Sequence, residues 1–302
     1  MRIERLRIEA VSTLTRCGTP YTHYRRERAV PAQPSSDIAI RAALVGELTR
    51  IGIAAAEAIR RSHWQSEGVR TKADASPVTA ADEAAEAVIR DGLTRLDPAL
   101  PIISEERAER EPAKLSGRSF FLVDPLDGTR EFIAGRDEYT VNIGLVSDGA
   151  PVLGVVAAPA LGLVWRGVVG GGAERLEFAA GRTSQPQAIR TRVRPERGLR
   201  VMASRSHLDA RTQAYVDGLP RAKLVRCGSS VKFCRLAEGS ADLYPRFAPT
   251  RDWDIAAGHA VLAAAGGGVA APDGTALAYG TPQLRIPAFL AWGDRAGRPG
   301  GH

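Results

Sequence analysis

The stretch SFFLVDPLDGTREF, Ser119 to Phe132, constrains the architecture more than any other in the sequence. Its apolar opening reads as a buried strand ending at Asp124, and a buried strand needs neighbours on its edges and cover on its faces. The neighbours are legible. YTVNIGLVS, PVLGVVAAP, GLVWRGVV and ERLEFAA follow at short intervals, with GGG at one turn, and read as antiparallel strands. The cover is legible too. From Ser36, SDIAIRAALVGELTRIGIAAAEAIRRSH has the period of a long amphipathic helix with a serine cap and arginines at its C-terminal end. After the polar loop SEGVRTKADASP a second helix is predicted from about Thr79 to Leu96, then a short strand PIIS leading to Glu105 and Glu106. Residues 35–185 therefore read as an α+β half.

The Arg-rich link GRTSQPQAIRTRVRPERG leads into residues 186–302, where LRVMAS, AKLVRC, ADLYPR and IPAFLAW read as strands. Helices are expected between them from about His207, Ser229 and Asp254, an alternation that indicates α/β layering. The sequence contains no internal repeat and no long low-complexity tract.

At 302 residues and 44% apolar content the chain can bury a sizeable core, in one large domain or two moderate ones. Its longest apolar stretches, such as IGIAAAEAI and VLAAAGGGVAA, are too short and too rich in Ala and Gly to span a bilayer. The N-terminus carries charges with no apolar run behind them, so no secretory signal is expected. Three cysteines, Cys17, Cys227 and Cys234, without C-x-x-C spacing, indicate neither a disulfide framework nor a structural zinc site. The cytoplasm is the expected compartment.

A net charge of +7 raises the question of nucleic acid, but its distribution argues otherwise. Residues 1–34 hold seven arginines against three glutamates, a surplus of four, and read either as a loose basic extension or as sequence upstream of the true start. Only four of the 41 basic residues are lysines, a skew that looks compositional rather than designed for phosphate binding. A basic nucleic-acid-binding protein would need aromatic and basic patches in the folded body.

The candidate chemistry sits where strands end and helices begin. In DPLDGT, Asp124 and Asp127 are hard oxygen ligands suited to Mg²⁺, and the backbone N–H groups of the expected helix start would hold an anion. Taken alone, the segment equally fits a turn with an Asp cap. Glu105 directly follows a strand, and Asp254 in TRDWDIAAGHAVLAAAGG begins a helix, where a plain cap is the commoner reading. Together these four acids suit a site with two metals. Thr79 and Asp82 make a capping-box-like start, and a carboxylate there would also orient a water. CGSSVKFCRLAEG puts Gly228, Ser229 and Ser230 at another strand-to-helix junction with Lys232 one turn in, which fits a second phosphate site or a Ser-capped helix with a solvated lysine. In ASRSH, Arg205 is either near a ligand phosphate or in a solvated loop. With no G-x-S-x-G elbow, a serine hydrolase is not indicated.

ISEE, DPLDGTREF and WDIAAGHAVLAAAGG, in that order, resemble the Mg²⁺-dependent, lithium-sensitive inositol monophosphatase superfamily. The resemblance runs from about Ser36 to near Trp292. Within that superfamily the sequence is most similar to the CysQ-type 3'(2'),5'-bisphosphate nucleotidases, through DASPVTAADEAAE, DGTREFI, EYTVNIGLV, ASRSH and GSSVKFCRLAEGSADLYPRFAPTRDWDIAAGHA.

The resemblance implies an αβαβα layered sandwich and two or three Mg²⁺ ions held by Glu105, Asp124, the Leu126 carbonyl, Asp127 and Asp254. It gives Thr129, assisted by Asp82, the attacking water, and the Gly128 and Thr129 amides the scissile phosphate. Ser229, Ser230, Lys232 and Arg246, with Asp254, would contact the rest of the substrate. The implied activity is removal of the 3'-phosphate of adenosine 3',5'-bisphosphate, with its 5'-phosphosulfate analogue as a further substrate; an inositol or other sugar phosphatase is the alternative. The implied partner is that small nucleotide, with no nucleic acid and no stable membrane insertion, in a monomer or homodimer. The basic extension leaves open peripheral contact with the cytoplasmic face of the inner membrane.

Overall fold

The computed structural model describes residues 36–62, 70–71, 77–108, 118–196, 198–206 and 208–294. The basic extension, Lys72 and His207 lie outside the described residues.

Helix α1, Ser36–Arg61, is followed by the two-residue strands β1, Arg70–Thr71, and β2, Pro77–Val78, and by helix α2, Ala80–Leu96. On α2 the buried positions Ala81, Ala85, Ile89 and Leu93 recur every four residues and so share one face. That face approaches α1 closely at Gly92, where a Cβ would lie 2.7 Å from a side-chain carbon of Ile51.

Next come β3, Ile102–Ser104, β4, Ser119–Asp127, the short helix α3, Thr129–Ile133, β5, Thr140–Ser147, β6, Ala150–Ala158, β7, Leu163–Val168, β8, Gly172–Ala179, β9, Arg182–Thr183, and β10, Gln187–Ile189. They form one sheet in the order β10-β8-β7-β6-β5-β4-β3, with β9 beside β8. All its pairings are antiparallel except β3 with β4. Strand β4 shows why cover is needed on both sides. Phe121 and Val123 join the core under α1 and α2, whereas Phe120 and Leu122 join the core on the opposite face.

The chain continues through β11, Arg200–Ser204, α4, Ala210–Asp217, β12, Lys223–Cys227, α5, Val231–Ala237, β13, Leu243–Arg246, β14, Thr250–Arg251, α6, Asp252–Ala264, β15, Gly268–Ala270, β16, Arg285–Ile286, and β17, Phe289–Trp292. The second large sheet has the order β12-β11-β13-β17-β15, parallel through β12, β11 and β13 and antiparallel thereafter. Residues of α5 and α6 share one core with the first sheet and with β13 and β17, and Val216 of α4 packs with Leu199, Val201 and Leu243 on the second sheet's other face. The layers therefore run helices, sheet, helices, sheet, helix, the αβαβα sandwich expected from the resemblance.

A row of glycines sets the position of α6. Gly144, Gly154 and Gly167 are cross-strand partners on β5, β6 and β7. A Cβ on Gly154 would sit 2.2 Å from the Ala257 carbonyl oxygen, and one on Gly144 would sit 3.0 Å from the Ala257 nitrogen. Backbone therefore packs on backbone, and α6 is drawn against the sheet with its first turn beside the end of β4.

Candidate active site

Strand β4 reaches three residues further than the sequence suggests. It ends at Asp127 rather than Asp124, because the ladder with β5 skips: Asp124 pairs with Asn142, but Asp127 pairs with Thr140. The bulge pushes Pro125 and Leu126 out of register and places both aspartates at the same end of the sheet. Asp124 folds back to accept the Leu126 N–H at 3.0 Å. Helix α3 then opens at Gly128, whose φ of +93° is one that glycine adopts freely. Helix α3 has five residues and α5 seven, so what either start offers an anion is its few free backbone N–H groups rather than the dipole of a long helix.

Glu105, Asp124 and Asp254 come together: one carboxylate oxygen from each lies within 4.8 Å of the other two. Glu105 is held by its own N–H to the Val123 carbonyl at 3.1 Å. Helix α6 begins at Asp252, two residues before the expected start, so Asp254 is not its N-cap but caps it from the first turn: its Oδ2 accepts the Arg251 N–H at 3.0 Å and the Thr250 hydroxyl. Cap and cluster member are one residue. Asp127 stands beside the three, and burial with the negative charge of Asp254 pushes its carboxyl up to about 7, against the opposing pull of Lys232, the Ser230 N–H and Arg246. Hard oxygen donors crowded until one resists ionisation fit a divalent cation such as Mg²⁺, which would relieve their mutual repulsion.

The capping box on α2 is also present, and it too serves twice. Asp82 Oδ2 accepts the Thr79 N–H at 2.8 Å and the Thr79 hydroxyl at 2.7 Å, while Oδ1 accepts the Thr129 hydroxyl at 3.2 Å. Thr129 Oγ1 also lies 3.1 Å from the Leu126 carbonyl oxygen. Thr129 is thus anchored between the metal-candidate turn and a buried carboxylate.

These acids line a cavity of about 1210 Å³. Leu126, Gly128, Thr129, Ser229, Ser230, Lys232 and Arg246 line it as well, and Asp82 stands behind Thr129. In the Gly228–Lys232 turn and at Arg246 the side-chain polar groups are engaged within the protein. Lys232 is 2% exposed, not solvated, and its ammonium donates to the carbonyls of Cys227, at 3.3 Å, and Ser229. The Ser230 hydroxyl is bonded to Asn142 and Thr140 rather than capping its helix. Arg246 donates to the carbonyls of Ala248 and Pro249.

Arg205 is partly exposed and does not line the cavity: its guanidinium pairs with both oxygens of Glu138, at 2.9 and 2.8 Å. Glu138 also accepts the Gly228 N–H at 2.8 Å, and Arg205 with that amide holds its carboxyl below the usual range despite partial burial. Gly228 has no room for a side chain, since a Cβ would lie 2.5 Å from the Glu138 carbonyl oxygen.

Glu138, Thr140 and Asn142 received no role in the sequence reading, which took YTVNIGLVS as a strand and EYTVNIGLV as one of the stretches that carry the resemblance. The available signal was two polar residues, Thr140 and Asn142, two apart and so on one face of an otherwise apolar run.

A family model described as "Inositol monophosphatase family" matches residues 40–296. The 3'(2'),5'-bisphosphate nucleotidase CysQ of Escherichia coli (strain K12) is 46% identical over 215 residues, 71% of this chain and 84% of that protein. The CysQ of Haemophilus influenzae is 26% identical over 256 residues, 84% of this chain and 94% of that one. Among solved structures, CysQ from Bacteroides thetaiotaomicron, described as a bacterial member of the inositol monophosphatase family, superposes with a TM-score of 0.72 at 33% identity, covering 84% of this chain and 98% of that one. With the family model spanning both sheets and the carboxylate cluster between them, this chain belongs to the inositol monophosphatase family.

Proposed function

We propose that this protein is a metal-dependent 3'(2'),5'-bisphosphate nucleotidase, removing the 3'-phosphate of adenosine 3',5'-bisphosphate to give AMP, and that of its 5'-phosphosulfate analogue to give adenosine 5'-phosphosulfate. The observation that carries this is the convergence of Glu105, Asp124 and Asp254 in one cavity beside the Thr129–Asp82 hydrogen bond. The names of its CysQ relatives supply the substrate class.

In this reading Glu105, Asp124, the Leu126 carbonyl, Asp127 and Asp254 hold two or three Mg²⁺ ions. When bound, Mg²⁺ lowers the pKa of the attacking water and neutralises charge on the phosphoryl oxygens. The Thr129 hydroxyl, its proton directed at Asp82 and the Leu126 carbonyl, keeps its lone pairs for the attacking water and aligns it. The water oxygen bonds to phosphorus as the bond from phosphorus to the 3'-oxygen breaks, and of the two water protons one ends on the 3'-oxygen and the other on the released phosphate. The Gly128 and Thr129 amides take the scissile phosphate. Ser229 and Arg246 contact the other phosphate or the nucleoside, with Lys232 adding charge from behind the loop, so that residues 35–185 act mainly on metal and residues 186–302 mainly on substrate.

The protein acts on a small molecule, not on nucleic acid, as a monomer or homodimer in the cytoplasm. Among the described residues no helix is long and apolar enough to cross a membrane. Phosphate release from adenosine 3',5'-bisphosphate, inositol 1-phosphate and fructose 1,6-bisphosphate, with and without Mg²⁺, tests the reading. Preference for the nucleotide is expected; preference for either sugar phosphate would overturn it.

A further inference from the structure

A chain of hydrogen bonds, largely buried, runs from the Ser230 hydroxyl through β5 to Asp127. Thr140 Oγ1 lies 2.8 Å from Ser230 Oγ, Ser230 Oγ donates to Asn142 Oδ1 at 2.6 Å, and Asn142 Nδ2 donates to Asp127 Oδ2 at 3.4 Å. Thr140 and Asn142 are fully buried and Ser230 is 2% exposed. A hydroxyl has one proton, so Ser230, having given its own to Asn142, must accept from Thr140. With its oxygen engaged by Ser230, the Asn142 amide has its nitrogen facing Asp127. The chain has one direction, and it ends on the carboxylate.

Ser230, the middle member, is held by the Cys227–Lys232 turn. Ser229 sits in the left-handed region with φ of +45°, rare for a residue with a side chain, and Gly228 is pinned against Glu138. Lys232 ties down the carbonyls on both sides of Gly228. The strained turn is fixed from three directions, and it is what points Ser230 inward at β5 instead of outward at the cavity.

We propose that Ser230 and Asn142 are positioning residues for Asp127, orienting its carboxylate for metal through this relay, and that Ser230 does not contact substrate. This rests on the proposed metal-dependent phosphatase reading for its functional meaning. It also carries a consequence for substrate choice: a ligand that fills the Gly228–Ser229 turn steadies the same residue that orients Asp127, so a second phosphate on the substrate raises kcat as well as lowering KM.

The test is Mn²⁺ binding to the folded protein without substrate, followed by calorimetry and by the paramagnetic signal of free Mn²⁺, in wild type, Ser230→Ala and Thr140→Val. Loss of an outer hydrogen-bond partner of a metal ligand typically weakens affinity by roughly 10- to 100-fold, so Ser230→Ala is expected to bind Mn²⁺ about tenfold more weakly. Its kcat for adenosine 3',5'-bisphosphate should fall at low Mg²⁺ and recover at high Mg²⁺, with KM nearly unchanged. Thr140→Val, which cuts only the far end, should show a smaller loss of the same kind. Unaltered Mn²⁺ affinity in Ser230→Ala with a raised KM would overturn the proposal and make Ser230 a substrate contact. Should Ser230→Ala not fold, unaltered Mn²⁺ affinity in a folded Asn142→Ala, which removes the group that reaches Asp127, would overturn it equally. If wild type binds Mn²⁺ but does not hydrolyse the nucleotide, the substrate reading fails while the relay is still decided by the Mn²⁺ titrations.

Discussion

The turns at Asp127–Thr129 and at Cys227–Lys232 look alike in sequence: each follows a strand, carries a glycine and a hydroxyl, and opens a helix. The structure uses them in opposite senses. The first presents its groups to the cavity, with Asp127 beside the carboxylate cluster and Thr129 anchored from behind by Asp82. The second turns its groups inward, with Lys232 on two carbonyls of its own loop and Ser230 on β5. Both turns lie against Glu138, Thr140 and Asn142, and what differs is what each gives them. The first only accepts the Asn142 amide on Asp127 and also faces the start of α6, which brings another acid. The second hands them its own polar groups, the Gly228 N–H to Glu138 and the Ser230 hydroxyl to Asn142. A local signature shows that a turn can offer polar groups; its surroundings determine who receives them.

Four measurements would break or sharpen this contrast. Asp124→Asn should have the largest effect, lowering Mg²⁺-dependent phosphate release by more than roughly 100-fold, since loss of a ligand should exceed the loss of an outer partner. Its circular dichroism should stay unchanged, and retained turnover would remove Asp124 from the outward-facing set.

Second, burial and the charge of Asp254 push the Asp127 carboxyl up to about 7 in the folded, metal-free protein. Below that pH the carboxyl holds a proton that a cation must displace, so Mg²⁺ binding at pH 6 should release about one proton and affinity should fall roughly tenfold per pH unit. At pH 8 no such release is expected. The corresponding stability runs the other way. A carboxyl with a raised folded pKa stabilises the metal-free fold at low pH, and that contribution is lost as pH rises from the unfolded value of 3.8 through about 7. Calorimetry in buffers of different ionisation enthalpy and urea titrations in chelator measure the two signs.

Third, Lys232→Met should cost about 1–3 kcal/mol in urea unfolding, because the carbonyls of Cys227 and Ser229 lose a buried donor. An unchanged stability with only a raised KM would mean that Lys232 faces substrate and that the two turns are not opposites. Smallest, Thr79→Ala removes the cap of α2 and one of the bonds that steady Asp82, and should cost about 1 kcal/mol in the same assay.

Much of the site was legible because its residues obey local rules. Glu105, Asp124 and Asp254 stand at the ends of elements whose period the sequence displays, and Thr79 with Asp82 announces a capping box. The weighing of cap against ligand proved to be no choice at all for Asp82 and Asp254: one carboxylate has two oxygens and several lone pairs, enough for a cap and a second partner. The bulge between Asp124 and Asp127 could not be read, since it exists only in the register of β4 against β5. The pairing of Arg205 with Glu138 spans 67 positions and leaves no local trace.

By itself the sequence determined the main helices and longer strands and the acids, hydroxyls and glycines available where strands meet helices, because hydrophobic period and capping chemistry act over a few residues; their layered order was implied by the family resemblance. Tertiary structure alone decided that Gly144, Gly154 and Gly167 align to seat α6 and bring Asp254 to the end of β4. It alone decided that Lys232 and Ser230 turn inward rather than toward the cavity. Both outcomes depend on strand register and on contacts between residues far apart in the chain, and a polar group's partner is set by what the fold places within about 3 Å of it.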